Sequence, residues 1–209
     1  MKKTAFLMAI LLCCAVLFSS CERLEEHNEP AATTADLEPV DMASLELSEY
    51  VTLGEYTGMT VEYFEEEDKD DLLWSRVLAN ATLIKYPDQQ VDYYFNQRKS
   101  QYIHMAEKLD STYEETLTRF GQSEEKFLDE ARELAFGDLV LYSIIKAEKI
   151  ELTDEDKSNN FDKYITKYTD IGYTEEYIRQ NLKEQIYDTM LYDKTMEKLI
   201  LLNELVKVE

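Results

Sequence analysis

The sequence predicts a mainly α-helical domain, an irregular multi-helix assembly preceded by a short N-terminal β-hairpin or extended arm. Three observations carry that reading. Five glycines and three prolines in 209 residues are too few for the turns that a sandwich, a barrel or a nucleotide-binding α/β sheet places between its elements. Apolar and aromatic residues recur at helical spacing from Leu72 onward, and hydroxyl residues followed by acids stand ahead of several of those runs. The hydrophobic share of 44% is enough to build a core at this length, so the chain is not a disordered one.

Residues 1–20 read as an export signal. Lys2 and Lys3 precede an uncharged apolar run from Ala5 to Phe18, which ends on the small residues Ser19 and Ser20. As a helix this run is about 21 Å long, short of the roughly 30 Å hydrocarbon core that a permanent transmembrane helix must cross. Leu17-Phe18-Ser19-Ser20-Cys21 resembles the lipobox of bacterial lipoproteins, with Phe18 where that family usually carries Leu. The resemblance implies that Cys21 is acylated, with palmitate among its chains, and becomes the mature N-terminus. An unmodified Cys21 at a cleavage boundary is the alternative. Cys13 and Cys14 lie in the segment that would be removed, so the mature chain would hold no disulfide.

Residues 21–46 read as a flexible acidic tether, with Pro30, Pro39 and scattered acids but no sustained apolar period. The domain proper is then 47–209. Val51 and Leu53, Gly54 and Gly58 at a turn, and Met59, Val61 and Tyr63 on alternate positions give the hairpin or arm. Six acids in the seven residues Glu65–Asp71 lack the spaced ligands and central Gly of a calcium loop, and read as the solvated start of a helix carrying Leu72, Leu73, Val77, Leu78 and Ala81.

Pro87 opens a longer helix with Val91, Tyr94, Phe95, Tyr102, Met105, Ala106 and Leu109 on one face. Thr112-Tyr113-Glu114-Glu115 fits a capping box for a short helix that Gly121 stops. Ser123 opens a helix to about Lys149. Thr153 and Thr174, each followed by acids, open two more, over about 154–169 and 175–203.

Lys+Arg of 22 against Asp+Glu of 44 leaves a formal charge of −22 and a pI near 4.4. Such a chain is repelled by phosphate backbones, which excludes nucleic acid as a partner. Neither histidine, His27 or His104, stands in an HExxH pattern, and no GxSxG elbow or Gly-rich phosphate loop is present. No catalytic residue, metal ligand or cofactor is therefore assigned, and the expectation is a protein that is not an enzyme.

From Glu49 onward the chain resembles trigger factor, the bacterial folding chaperone, without its N-terminal and isomerase domains. The resemblance rests on Tyr50–Val61, on Leu73-Trp74 through Asn80-Ala81-Thr82 and Lys85-Tyr86-Pro87 into Val91–Tyr94, on Gly121–Phe127, and on Ala147–Asp156. It implies a trigger factor C-terminal-like (SurA-like) helical domain. The Gly-Phe-Arg-x-Gly ribosome-docking loop is missing, which implies no ribosome partner. Only Glu62 to Leu73 separate the arm-like strand from the helical part, far short of the about 100 residues an isomerase module needs.

The resemblance implies a membrane-anchored extracytoplasmic chaperone or holdase that binds unfolded or nascent exported polypeptides. The alternative is a non-catalytic scaffold lipoprotein that keeps the fold. Candidate client contacts are Phe161, Tyr164 and Tyr168, spaced i, i+3, i+7, together with Tyr93 and Tyr102. On an arm standing away from the body such a stripe would face a client; packed against neighbouring helices it would be ordinary core.

Overall fold

A computed structural model describes residues 37–64, 68–170 and 172–208. The described residues form seven α-helices and two two-stranded sheets, a mainly α fold. They divide into two compact units, one holding residues 54–80 and 144–208, the other 37–53 and 81–143.

In the second unit, β1 (Val51–Thr52) pairs antiparallel with β3 (Thr82–Leu83), and Tyr50 C=O accepts the Ile84 N–H at 2.7 Å. Helices α2 (Asp88–Lys108), α3 (Tyr113–Arg119) and the part of α4 (Glu124–Glu148) up to Ser143 complete it. The capping box at Thr112 forms as the sequence predicts: Thr112 Oγ1 accepts the Glu115 N–H at 3.2 Å while Glu115 Oε2 accepts the Thr112 N–H at 3.0 Å. Gly121 sits at φ 63°, a left-handed conformation that glycine adopts without a Cβ penalty. The core is built on Phe127, Ala135, Leu139 and Val140, each with no exposed surface. Truncating a buried aromatic such as Phe127 costs about 3–5 kcal/mol.

The first unit contains β2 (Thr60–Tyr63), α1 (Lys69–Asn80), the end of α4, α5 (Asp154–Asp170), α6 (Glu175–Asn181), α7 (Lys183–Leu202) and β4 (Glu204–Lys207). β2 and β4 run parallel, with Thr60 opposite Glu204 and Tyr63 opposite Lys207. Asn203 links them: its Oδ1 accepts the Met59 N–H at 2.8 Å, and its Nδ2 donates to Tyr56 O at 3.0 Å and Leu199 O at 2.8 Å. At Gly54 a Cβ would lie 1.9 Å from the Asn80 carbonyl oxygen, so only glycine permits this backbone approach. Leu73, Trp74, Val77, Ile144 and Leu199 are buried, and Trp74 meets the ring of Tyr192 edge-on at 6.0 Å. Burial, reinforced by Asp71, pushes the Tyr192 phenol up to about 12.

Four expectations need correction. The segments on either side of Gly54 and Gly58 are extended but do not form a hairpin, because each finds its partner elsewhere, β1 in β3 and β2 in β4. Long-range pairing outcompetes the local turn. The tether does not extend to residue 46. Residues 42–44 form a 3₁₀ turn capped by Asp41, Met42 is 3% exposed, and Val40 N–H is bound by the Gln90 side chain. The helix expected over 175–203 is broken at Leu182, which lies at φ −112°, ψ 8°. Ile178, Leu182 and Ile186, at i, i+4 and i+8, stay buried in one cluster across it, and the Leu182 and Ile186 N–H groups still bond Ile178 O and Leu182 O at 2.9 Å. Finally, the chain past residue 63 holds two strands, β3 and β4, that carry no alternating pattern long enough to signal them.

Candidate functional site

The last three helices build an apolar cluster of Tyr164, Ile165, Ile178, Leu182, Ile186 and Met190. α5 starts on a reciprocal cap in which Thr153 Oγ1 accepts the Asp156 N–H at 3.1 Å and Asp156 Oδ2 accepts the Thr153 N–H at 2.8 Å. Lys194 Nζ, 2.6 Å from the same carboxylate and 2.8 Å from Glu151 O, ties α7 to that start. The Lys194 ammonium, followed by the Thr153 donors, holds the Asp156 carboxyl down at about 2. α6 begins at Thr174, whose Oγ1 accepts the Tyr177 N–H at 3.2 Å.

Between α5, the end of α6 and the start of α7 lies an open groove of about 460 Å³. Phe161 of α5 and Tyr187 of α7 supply its aromatic surface, their ring centroids 5.8 Å apart and tilted by 57°. Basic side chains cover those rings. Lys157 Nζ lies 5.0 Å and Lys183 Nζ 5.6 Å from the centroid of Tyr187, and the Arg179 guanidinium lies 5.6 Å from that of Phe161. These are cation–π distances. Arg179 also binds Asp162 at 3.0 Å and Glu175 at 2.8 Å. At the other end of α5, Tyr168 meets Tyr173 edge-on at 6.1 Å, and Tyr173 stacks on Tyr177 at 5.6 Å and 16°. Tyr177 is 46% exposed.

The aromatic residues singled out from the sequence separate into two groups. Tyr164 is 5% exposed and its hydroxyl donates to Asp193 at 2.5 Å; burial, then the Asp193 carboxylate, pushes its phenol well above the usual range. Tyr102 is 7% exposed, its ring 4.9 Å from Phe127 and 6.3 Å from Phe120. Both are core, and the expectation that they touch a client is corrected: Tyr164 is buried in the cluster with Ile165 and Ile178, and Tyr102 is buried against Phe127. Phe161 and Tyr168 are half-buried at the edge of the α5–α7 cluster, and Phe161 lines the groove. Tyr93 is half-buried on α2, its ring 5.4 Å from Tyr94, and its hydroxyl accepts from Gln97 Nε2 at 2.5 Å. Cys21 lies outside the described residues. His104 is exposed beside Glu107.

Sequence reasoning missed Lys157, Arg179, Lys183 and Tyr187. A signal was present: Lys157 stands four residues before Phe161, and Lys183 four before Tyr187. On a helix that spacing puts cation and ring on one face. Among the described residues no group of three or more His, Cys, Asp or Glu is placed to hold a metal ion.

The described residues form a mainly helical domain with an open, aromatic-walled groove on its last three helices. Residues 61–201 match the family described as bacterial trigger factor protein C-terminus, and the chain belongs to that family. It is 23% identical over 168 residues to the trigger factor of Caldicellulosiruptor saccharolyticus and 26% identical over 168 residues to that of Finegoldia magna. The alignments cover 75% and 74% of this chain but 38% of each relative, so the chain spans little more than a third of their length. No solved structure matches it.

Proposed function

We propose that this chain is a membrane-anchored extracytoplasmic chaperone of the holdase kind. It binds unfolded or partly folded exported polypeptides without isomerase catalysis and is held at the membrane by acylated Cys21. The observation that carries the proposal is the groove between α5 and α7, in a domain of the trigger factor C-terminal family. Long, flexible cations lie over its rings, which pack at the edge of the apolar cluster. Lys and Arg heads swing into water while their stems stay on apolar surface, so such a groove opens to segments of many sequences. The exposed Tyr177, stacked on Tyr173, extends the apolar surface available on the same three helices.

A scaffold lipoprotein without clients is the second reading, and the burial of Tyr102 and Tyr164 favours it by removing two of the expected contacts. A photo-crosslinking residue at Ser158, exposed on the groove wall, separates the two. Illumination of cells should join position 158 to a range of exported proteins, and the same residue at exposed Glu197, away from the groove, should give few products. A single stoichiometric product at 158 would favour the scaffold. Equal, sparse labelling at both positions would remove the groove as a client site.

A further inference from the structure

We propose that the α5–α7 groove selects client segments in which a carboxylate stands beside an aromatic ring, a preference that the chain's net charge of −22 would by itself oppose. The inference rests on the groove being the client site.

The argument begins with the charges at the ring faces. Lys157 and Lys183 both direct their ammonium groups at Tyr187, at 5.0 and 5.6 Å, and among the described residues neither forms an ion pair with a carboxylate. Two carboxylates line the groove. Asp162 is engaged by Arg179 at 3.0 Å, and Arg179 is further held by Glu175 at 2.8 Å. That leaves Asp154 alone against two ammonium groups. An incoming carboxylate at the Tyr187 face therefore meets one unbalanced positive charge, although the Phe161 end, where Arg179 is shared by two carboxylates, and most of the surface repel it.

The recognition works as an exchange. A cation lying over a ring is weakly held, and an aromatic side chain of a client packs on the same face with larger apolar contact. When the client ring takes the face, the displaced ammonium swings into the open groove, and a carboxylate a few residues along the client offers it a charge-assisted hydrogen bond there. Ring and carboxylate are read together, because a client ring alone sends the ammonium to water and a client carboxylate alone leaves the ring face to the cations. The volume of about 460 Å³ suits a few side chains of an extended segment.

The test uses the full chain and two fluorescent peptides, one with Phe and Tyr flanked by Glu and a twin with Gln for each Glu, followed by anisotropy at low and high salt. The Glu peptide should bind about tenfold tighter than its twin at low salt, and the gap should close near 1 M salt, where the screening length is about 3 Å. The double variant Lys157→Gln, Lys183→Gln should abolish the difference, and Lys157→Arg, Lys183→Arg should keep it; circular dichroism melting verifies that both are folded. Equal affinities in the unmodified chain, or a preference that survives the Gln pair, overturn the inference while leaving the groove as a client site. Binding of neither peptide overturns both.

Discussion

Gln90 and Asp138 meet inside the second unit, Gln90 Nε2 donating to Asp138 Oδ2 at 2.8 Å while the Gln90 Oε1 accepts the Val40 N–H at 2.8 Å. Tyr94 adds its hydroxyl to the same carboxylate oxygen at 2.6 Å. Gln90 is 3% exposed, so one amide fastens the segment before Met42 to two helices. Gln90→Leu would strip partners from the Val40 N–H and from Asp138, a loss of about 1–3 kcal/mol. Denaturant unfolding should show a lower midpoint, and limited proteolysis should cut residues 37–46 sooner. An unchanged midpoint with unchanged protection would mean that the amide holds nothing.

Tyr164 should behave as core. Tyr164→Phe loses a hydrogen bond to a charged group, about 1.5–3 kcal/mol. Tyr164→Ser also deletes a buried ring and approaches the about 3–5 kcal/mol of a large-to-small aromatic substitution. Thermal melting should rank the two in that order below the unmodified protein. A Ser variant melting with the wild type would return Tyr164 to the surface.

Asp156 gives the fold an acid limb. Its carboxyl ordinarily titrates near 3.8 and is held at about 2 in the folded chain, chiefly by Lys194. The folded value is the depressed one, so the stabilisation is present above the unfolded value and is lost as pH falls from about 4 through about 2. Asp156→Asn should flatten this part of the stability profile and lower stability at neutral pH. A variant whose slope between those values matches the wild type would sever the link.

How much of this was legible in sequence depends on how far apart the partners lie. The Thr112–Glu115 box and the Thr153 and Thr174 caps were readable because every partner sits within three residues. The strands were not. Val51 has a plausible local partner across Gly54 and Gly58, yet its real partner is Leu83, and no residue in between announces it. The break at Leu182 has neither Gly nor Pro beside it, and the apolar spacing of Ile178, Leu182 and Ile186 runs straight through it, so nothing local announces it. Periodicity placed Phe161, Tyr164 and Tyr168 on one face of α5 but carries no record of which neighbour covers that face. The groove was half written, as a cation four residues ahead of a ring on each of two helices.

The proposed anchor has its own test. Cys21→Ala should abolish metabolic fatty-acid labelling and leave an uncleaved or mis-sorted precursor on a gel. Full labelling of that variant would assign the anchor elsewhere.

The parallel pairing of β2 with β4 has a kinetic consequence. Thr60 finds Glu204 across 144 residues, whereas Val51 reaches Leu83 over a several-fold shorter span; on closure entropy alone the longer excursion is disfavoured by roughly 1 kcal/mol more. Helices α5 to α7 are consecutive and associate without waiting for either closure. The order that follows is helices first, the β1–β3 ladder next and the β2–β4 ladder last, so a newly made chain spends an interval with β2 as a bare edge, itself prone to pair with other chains. Under the proposed function, the chain would for that interval itself need the kind of protection it is proposed to give. Pulsed hydrogen exchange should protect the amides of β1 before those of β4, and simultaneous protection would refute the order.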